Sequence, residues 1–305
     1  MNDTIYFKQV QLLVRVLPLI DTEKIFALKG GTAINLFYRP LPRLSVDIDL
    51  LYIPLHDRQT ALATIRAALT RISDLIRKTI PGAKVQNAHE QSDTLRLIVQ
   101  QGEVRIKIEL SPVIRGTVFA ETRMEICPEA ERDFGYVEMQ VASHPDLYAG
   151  KICAALDRQH PRDLFDVKFL LDNEGLTNDL RKTFLVFLIS HQRPMSELLD
   201  PHRKDIREVY EAEFRRMATI EVSLEELETT REILIERIRT DMTSDERRFL
   251  ASFKGRDPDW KLLGMDEKIN ISALPSVQWK LHNLKQMPDK KHGQALDRLK
   301  KILGL

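Results

Sequence analysis

The chain has 305 residues, 43% of them hydrophobic and 30% charged, which places it among folded globular proteins with room for two domains and excludes a disordered chain. Its net charge of +1 excludes a global electrostatic footprint for nucleic acid and leaves only local basic patches. Two cysteines, Cys127 and Cys153, match no zinc spacing and are too few for a disulfide framework, in keeping with a reducing, cytoplasmic setting. Cys153 lies in an apolar helical stretch and reads as a buried thiol. The opening residues show no basic region followed by an apolar run, and the longest apolar run, 184–189, is far short of the ~20 residues that span a bilayer.

Residues 5–20 carry apolar positions at helical spacing, with Pro18 near the end. Residues 24–28 read as a short strand, Lys29-Gly30-Gly31-Thr32 as a turn, and 33–38 as a helix ended by Pro40 and Pro42. A strand follows over 45–52, then an amphipathic helix over 56–79 stopped by Pro81-Gly82. Strands are expected over 94–100 and 103–110, joined as a hairpin at Gln101-Gly102, and one more over 135–140. Beyond residue 143 helix signals dominate. Ser223 with Glu226 and Thr243 with Glu246 each fit a capping box. The expected organisation is an α/β part over 1–143 and a helical part over 144–305.

The sharpest chemical signal is Val46-Asp47-Ile48-Asp49-Leu50. Strand side chains alternate, so Asp47 and Asp49 share one face while Val46, Ile48 and Leu50 share the other. Two carboxylates side by side repel unless a cation lies between them, and a hard divalent ion such as Mg²⁺ is the natural partner. Taken alone, an Asp-x-Asp pair is common and reads first as an exposed edge strand. Gly30-Gly31 lets the backbone turn sharply and approach a ligand, and the N–H groups of the following helix suit a phosphate; Thr32 is placed to cap that helix. In 106–110 the apolar Ile106, Ile108 and Leu110 alternate with Lys107 and Glu109, which makes Glu109 a candidate third metal ligand in a two-metal scheme. Further on, Lys151 and Arg158 are seven apart on a helix face, and Pro161 opens a new helix bearing Asp163 and Asp166 on one side. Lys151 is placed to neutralise charge on leaving pyrophosphate, with Asp163 orienting it; a plain helix-to-helix salt bridge fits the same spacing.

Together these elements resemble the AbiEii/AbiGii-type nucleotidyltransferase toxins, including the MenT-like toxins. The likeness rests on Leu28-Lys29-Gly30-Gly31-Thr32-Ala33, on Arg43-x-Ser45-x-Asp47-Ile48-Asp49-Leu50, on Lys151-x6-Arg158 and on Arg162-Asp163-x2-Asp166-x3-Leu170, with a late segment Val277-Gln278-Trp279-Lys280. The resemblance implies a polymerase-β-like nucleotidyltransferase core with a mixed sheet, followed by a C-terminal helical lobe that completes an NTP cleft. It implies a type IV toxin–antitoxin role with a cognate antitoxin, often linked to phage defence. Gly30, Gly31, Asp47 and Asp49 then serve NTP and Mg²⁺, with Thr32, Arg39, Arg43, Ser45, Lys151 and Arg158 as further nucleotide contacts and Asp163 as a catalytic acid. The implied reaction is transfer of NMP to an RNA acceptor, expected to be the tRNA 3′ end. The basic stretch 280–301 is a candidate RNA contact. Transfer to a protein side chain, or a silent nucleotide- or partner-binding module, remain open alternatives on the same residues.

Overall fold

The computed structural model describes residues 4–87, 95–266 and 269–305. The chain packs as two units, one comprising Met1–Ser143 with Met217–Glu221 and the other His144–Arg216 with Val222–Leu305.

The first unit begins with α1 (Ile5–Ile20), whose N-terminus is capped by the Thr4 hydroxyl accepting from the Phe7 N–H at 3.2 Å. Its apolar stripe of Val10, Leu13, Leu17 and Ile20 is fully buried, and the helix runs through Pro18. Next come β1 (Phe26–Lys29), a helical segment α2 (Gly30–Ala33) that widens into a π-turn over Ile34–Tyr38, and β2 (Asp47–Tyr52). They are followed by α3 (Arg58–Thr79), β3 (Ala83–Asn87), β4 (Leu95–Gln101), β5 (Val104–Arg115), β6 (Thr122–Glu125), α4 (Pro128–Phe134) and β7 (Glu138–Val141).

Among the described residues these strands form one seven-stranded mixed sheet in the order β3-β4-β5-β2-β1-β7-β6. At its centre β2 pairs in parallel with β5 and antiparallel with β1. Ile48, Ile108 and Leu28, with Leu50 and Leu97 beside them, form the apolar face, all at most 1% exposed. The opposite face keeps the charged side chains of the same strands.

Several boundaries differ from the sequence reading. Thr94, the expected start of β4, lies outside the described residues. β5 runs to Arg115, five residues past its expected end, because the Ser111 hydroxyl accepts from the N–H groups of Val113 (3.3 Å) and Ile114 (3.0 Å) where the pairing with β2 shifts register. β3 and β6 are strands that no sequence pattern announces; both are short and lie outside the centre of the sheet. The chain also returns to this unit late. The Leu44 N–H donates to the Met217 carbonyl at 2.8 Å, Arg43 bridges Ala218, and the Thr219 hydroxyl donates to the Leu41 carbonyl at 2.7 Å.

The second unit is helical: α5 (His144–Asp157), α6 (Pro161–Asn173), α7 (Asn178–Ser190), α8 (Met195–Leu199), α9 (Arg207–Val209), α10 (Leu224–Asp241), α11 (Ser244–Lys254), α12 (Pro275–Lys285) and α13 (Asp289–Leu303). Both expected capping boxes are formed. The Ser223 and Thr243 hydroxyls accept from the Glu226 and Glu246 N–H groups at 3.2 Å, and each Glu carboxylate accepts in return at 2.8 Å. Cys153 is buried inside α5, where desolvation pushes its thiol well above the ordinary range.

Candidate active site

The site in the first unit is set by register. Parallel pairing puts Asp47 opposite Lys107 and Asp49 opposite Glu109, while antiparallel pairing puts Lys29 opposite Asp49 and Arg96 opposite Glu109. Cross-strand partners share a face, so Arg96, Glu109, Asp49 and Lys29 form one row across four strands, with Lys107 and Asp47 in the next. Both rows lie on the face away from the apolar core.

The glycine turn abuts this face. Gly30 has φ +75°, a conformation that L side chains rarely adopt, and a Cβ built on it would fall 2.3 Å from Oδ2 of Asp49. Gly31 is confined from the other side, since its Cβ would meet Nη2 of Arg43 at 2.5 Å and Oγ of Ser45 at 2.9 Å. The backbone of the turn thus lies between the Asp49 carboxylate and the buried Arg43 guanidinium. The Asn35 amide donates to the Gly31 carbonyl at 2.8 Å and ties the turn to the helix behind it.

Thr32 differs from its expected role. The helix starts at Gly30, three residues early, so Thr32 lies within it rather than capping it. Its fully buried hydroxyl donates to the Asp47 carbonyl at 2.5 Å and lies 3.0 Å from the Ser45 hydroxyl. Thr32 and Ser45 therefore fasten the turn to the start of β2. Arg39 and Arg43 are buried as well, and Arg43 Nη1 donates to the Leu44 carbonyl at 3.0 Å.

The carboxylates have unequal surroundings. Glu109 is engaged twice: Oε2 lies 3.0 Å from Lys107 Nζ, and Oε1 pairs with Arg96. Lys107 Nζ is also 3.9 Å from Asp47 Oδ1. Asp49 has no ion-pair partner among the described residues. The three acids expected around one ion are neighbours on one face, yet among the described residues no three His, Cys, Asp or Glu side chains are gathered to hold a metal. Lys107 lies within ion-pair distance of two of the three. Asp47 and Asp49, hard oxygen donors on adjacent same-face positions, fit a divalent cation; Glu109 as placed is an anchor for Lys107 and Arg96. The sequence alone assigns no role to Lys107, Arg96 or Lys29. The alternation over 106–110 already put Lys107 on the acidic face, but its partners become visible only through pairing between distant strands.

In the second unit α5 and α6 form a separate charged cluster. Lys151 Nζ is 2.9 Å from Asp163 Oδ1 and 2.9 Å from Asp166 Oδ2, and all three side chains are at least nine-tenths buried. Arg158, just past the end of α5, pairs with Asp163 through Nε and through Nη2 at 2.9 Å, yet remains 61% exposed. Burial pushes the Asp163 carboxyl up, but the Lys151 ammonium and the Arg158 guanidinium outweigh it and hold it well below the usual carboxylate range. His160 caps α6, its Nδ1 accepting from the Arg162 N–H at 3.1 Å. On the basic segment, Lys280 is a helix-end ligand: its ammonium donates to the carbonyls of His191, Gln192 and Arg193 past the end of α7, and burial pushes its pKa down to about 8. Lys290, Lys291, Arg298, Lys300 and Lys301 are exposed on α13.

A family model described as the nucleotidyl transferase AbiEii toxin of type IV toxin–antitoxin systems matches residues 11–283. The chain belongs to the AbiEii family. This AbiEii-family chain is therefore a nucleotidyltransferase toxin of a toxin–antitoxin system, and membership implies an NTP substrate and an antitoxin partner. Among solved structures it is similar in fold to MenT4, a nucleotidyltransferase toxin from Mycobacterium tuberculosis H37Rv, with a TM-score of 0.60 and 15% identity over 93% of this chain and 95% of that one. No curated protein matches its sequence. Among the described residues no helix is long and apolar enough to cross a membrane.

Proposed function

We propose that this toxin transfers a nucleoside monophosphate from an NTP to an RNA 3′ end, with tRNA as the foremost acceptor, and thereby blocks translation. The observation that carries the reading is the contact between the glycine turn and Asp49. A polyphosphate lying on the backbone of Gly30 and Gly31 is at once beside the two aspartates. In the reaction the acceptor hydroxyl oxygen forms a bond to the α-phosphorus, the bond from that phosphorus to the bridging oxygen breaks so that pyrophosphate leaves with the electron pair, and the hydroxyl proton passes to solvent water.

Asp47 and Asp49 would hold a divalent cation, Mg²⁺ in the first instance, which when bound supplies charge compensation on the phosphates. The chain's own contributions are positional. The Gly30–Gly31 turn admits phosphate oxygens to backbone N–H groups, and Arg43 beneath it adds positive potential. In the helical unit, Lys151 joins Asp163 to Asp166, and Asp163 orients Arg158, whose exposed guanidinium suits a phosphate. The basic face of α13 is the candidate RNA contact.

The test is incubation of the purified toxin with each labelled NTP, Mg²⁺ and total tRNA, followed by sequencing of tRNA ends. Added 3′ nucleotides support the reading. Label appearing on protein instead, with lysate present, overturns the RNA acceptor while keeping the transfer chemistry.

A further inference from the structure

Lys107 lies on the same face as the two aspartates, and its surroundings define a task for it. It follows Ile106 and precedes Ile108, both buried, so the strand alternation commits its side chain to the acidic face. Its cross-strand neighbour on β4 is the apolar Ile98, and on β2 it is Asp47. Among the described residues its ion-pair partners are Glu109, Oε2 at 3.0 Å, and Asp47, Oδ1 at 3.9 Å. Glu109 is in turn fixed from β4 by Arg96. The ammonium is thus tethered by a carboxylate that is itself tethered, and it stands beside the aspartate that opens β2.

We propose that Lys107 is a positioning residue that acts as a resident counter-ion, compensating Asp47 in the free protein and being displaced from it when a divalent cation binds. This inference rests on the reading that Asp47 and Asp49 hold that cation. Its physical basis is competition. One ammonium and one divalent ion cannot both neutralise the same carboxylate at short range without repelling each other. The free protein therefore binds divalent cation weakly, while its acidic face stays charge-balanced and folded. Glu109 serves this device as the anchor of Lys107.

The experiment is calorimetric titration of Mn²⁺ into the full-length protein without NTP, comparing wild type with K107M, K107R and D49N. Removing a unit charge about 4 Å from Asp47 is expected to tighten Mn²⁺ binding in K107M by about tenfold. K107R keeps the charge and is expected to bind as wild type does. D49N is expected to lose binding. If K107M binds no tighter than wild type while D49N is weakened, the role of Lys107 is overturned and the aspartate site stands. If D49N binds as wild type does, the aspartate reading fails, and the counter-ion role with it. Glu109 keeps Arg96 as its partner when Lys107 is replaced, so the fold has a remaining tie. Should K107M melt early, K107Q carries the same test.

Discussion

A Cβ placed on Gly30 would lie 2.3 Å from the carboxylate oxygen Oδ2 of Asp49. Strand and turn are thus fitted so closely that no side chain can be added at Gly30 without moving the Asp49 carboxylate. Gly82 offers the matching control, having φ +74° and nothing within 4 Å of its own notional Cβ.

G30A and G82A therefore share the backbone cost, about 1–2 kcal/mol for an L residue in the left-handed region. G30A is expected to lose further stability and NTP binding, because the new methyl must push Asp49 aside. Thermal melts of both variants, with NTP titrations, give the comparison. Equal behaviour of the two would show that the Asp49 contact has no consequence.

D49N is expected to melt within a few degrees of wild type, since the side chain is half-buried and has no ion-pair partner among the described residues. Nucleotide transfer is expected to fall by at least about a hundredfold, as for loss of a direct ligand to a catalytic ion. Growth inhibition on expression is the cellular readout. A D49N toxin as harmful as wild type would separate toxicity from this chemistry.

The fold was legible where one segment decides its own structure. The alternation in β2, the apolar stripe of α1 and both capping boxes follow from local spacing, and each is found. Legibility ends where partners come from afar. The return of Met217–Glu221 to the first unit depends on backbone groups near Leu44, which no local pattern announces. Likewise the alternation put Lys107 and Glu109 on one face, but the approach of Lys107 to Asp47 depends on the β2–β5 register. The helix start differs by three residues from the one expected beside Thr32, because glycine pairs read as a turn, whereas here the helix begins on the first glycine.

The buried cluster of Lys151, Asp163 and Asp166 predicts both a mutational and a pH response. K151M leaves two carboxylates buried without their shared ammonium and is expected to cost about 3–5 kcal/mol. Because the folded-state pKa of Asp163 is depressed, its stabilising contribution is present above the unfolded value near 3.9 and is lost as pH falls below it. Denaturant unfolding followed from about pH 5 downward should show wild type losing stability as pH falls from the unfolded value towards the strongly depressed folded one, and D163N losing less. Parallel pH curves for the two would refute the assignment.

RNA binding is expected to weaken with salt, and replacing an exposed lysine of α13, such as Lys291 or Lys300, should reduce the log–log slope by about 0.7–1. K280Q is the contrasting variant. Its ammonium is spent on the carbonyls of 191–193, so it is expected to lower the melting temperature and leave the salt slope as it was. Filter-binding titrations across salt concentrations with labelled tRNA distinguish the two outcomes.

The five-residue strap Met217–Glu221 has a genetic corollary. The polypeptide passes between its two units at Ser143, at Arg216 and again at Glu221, so no single cleavage or stop codon sorts the chain into them. A gene truncated after codon 143 would encode a sheet whose Leu44 amide has lost the Met217 oxygen it donates to, and whose Leu41 carbonyl has lost Thr219. Splitting this toxin for complementation or delivery therefore calls for a break inside the helical part beyond Glu221, with the strap left on the fragment that carries the sheet.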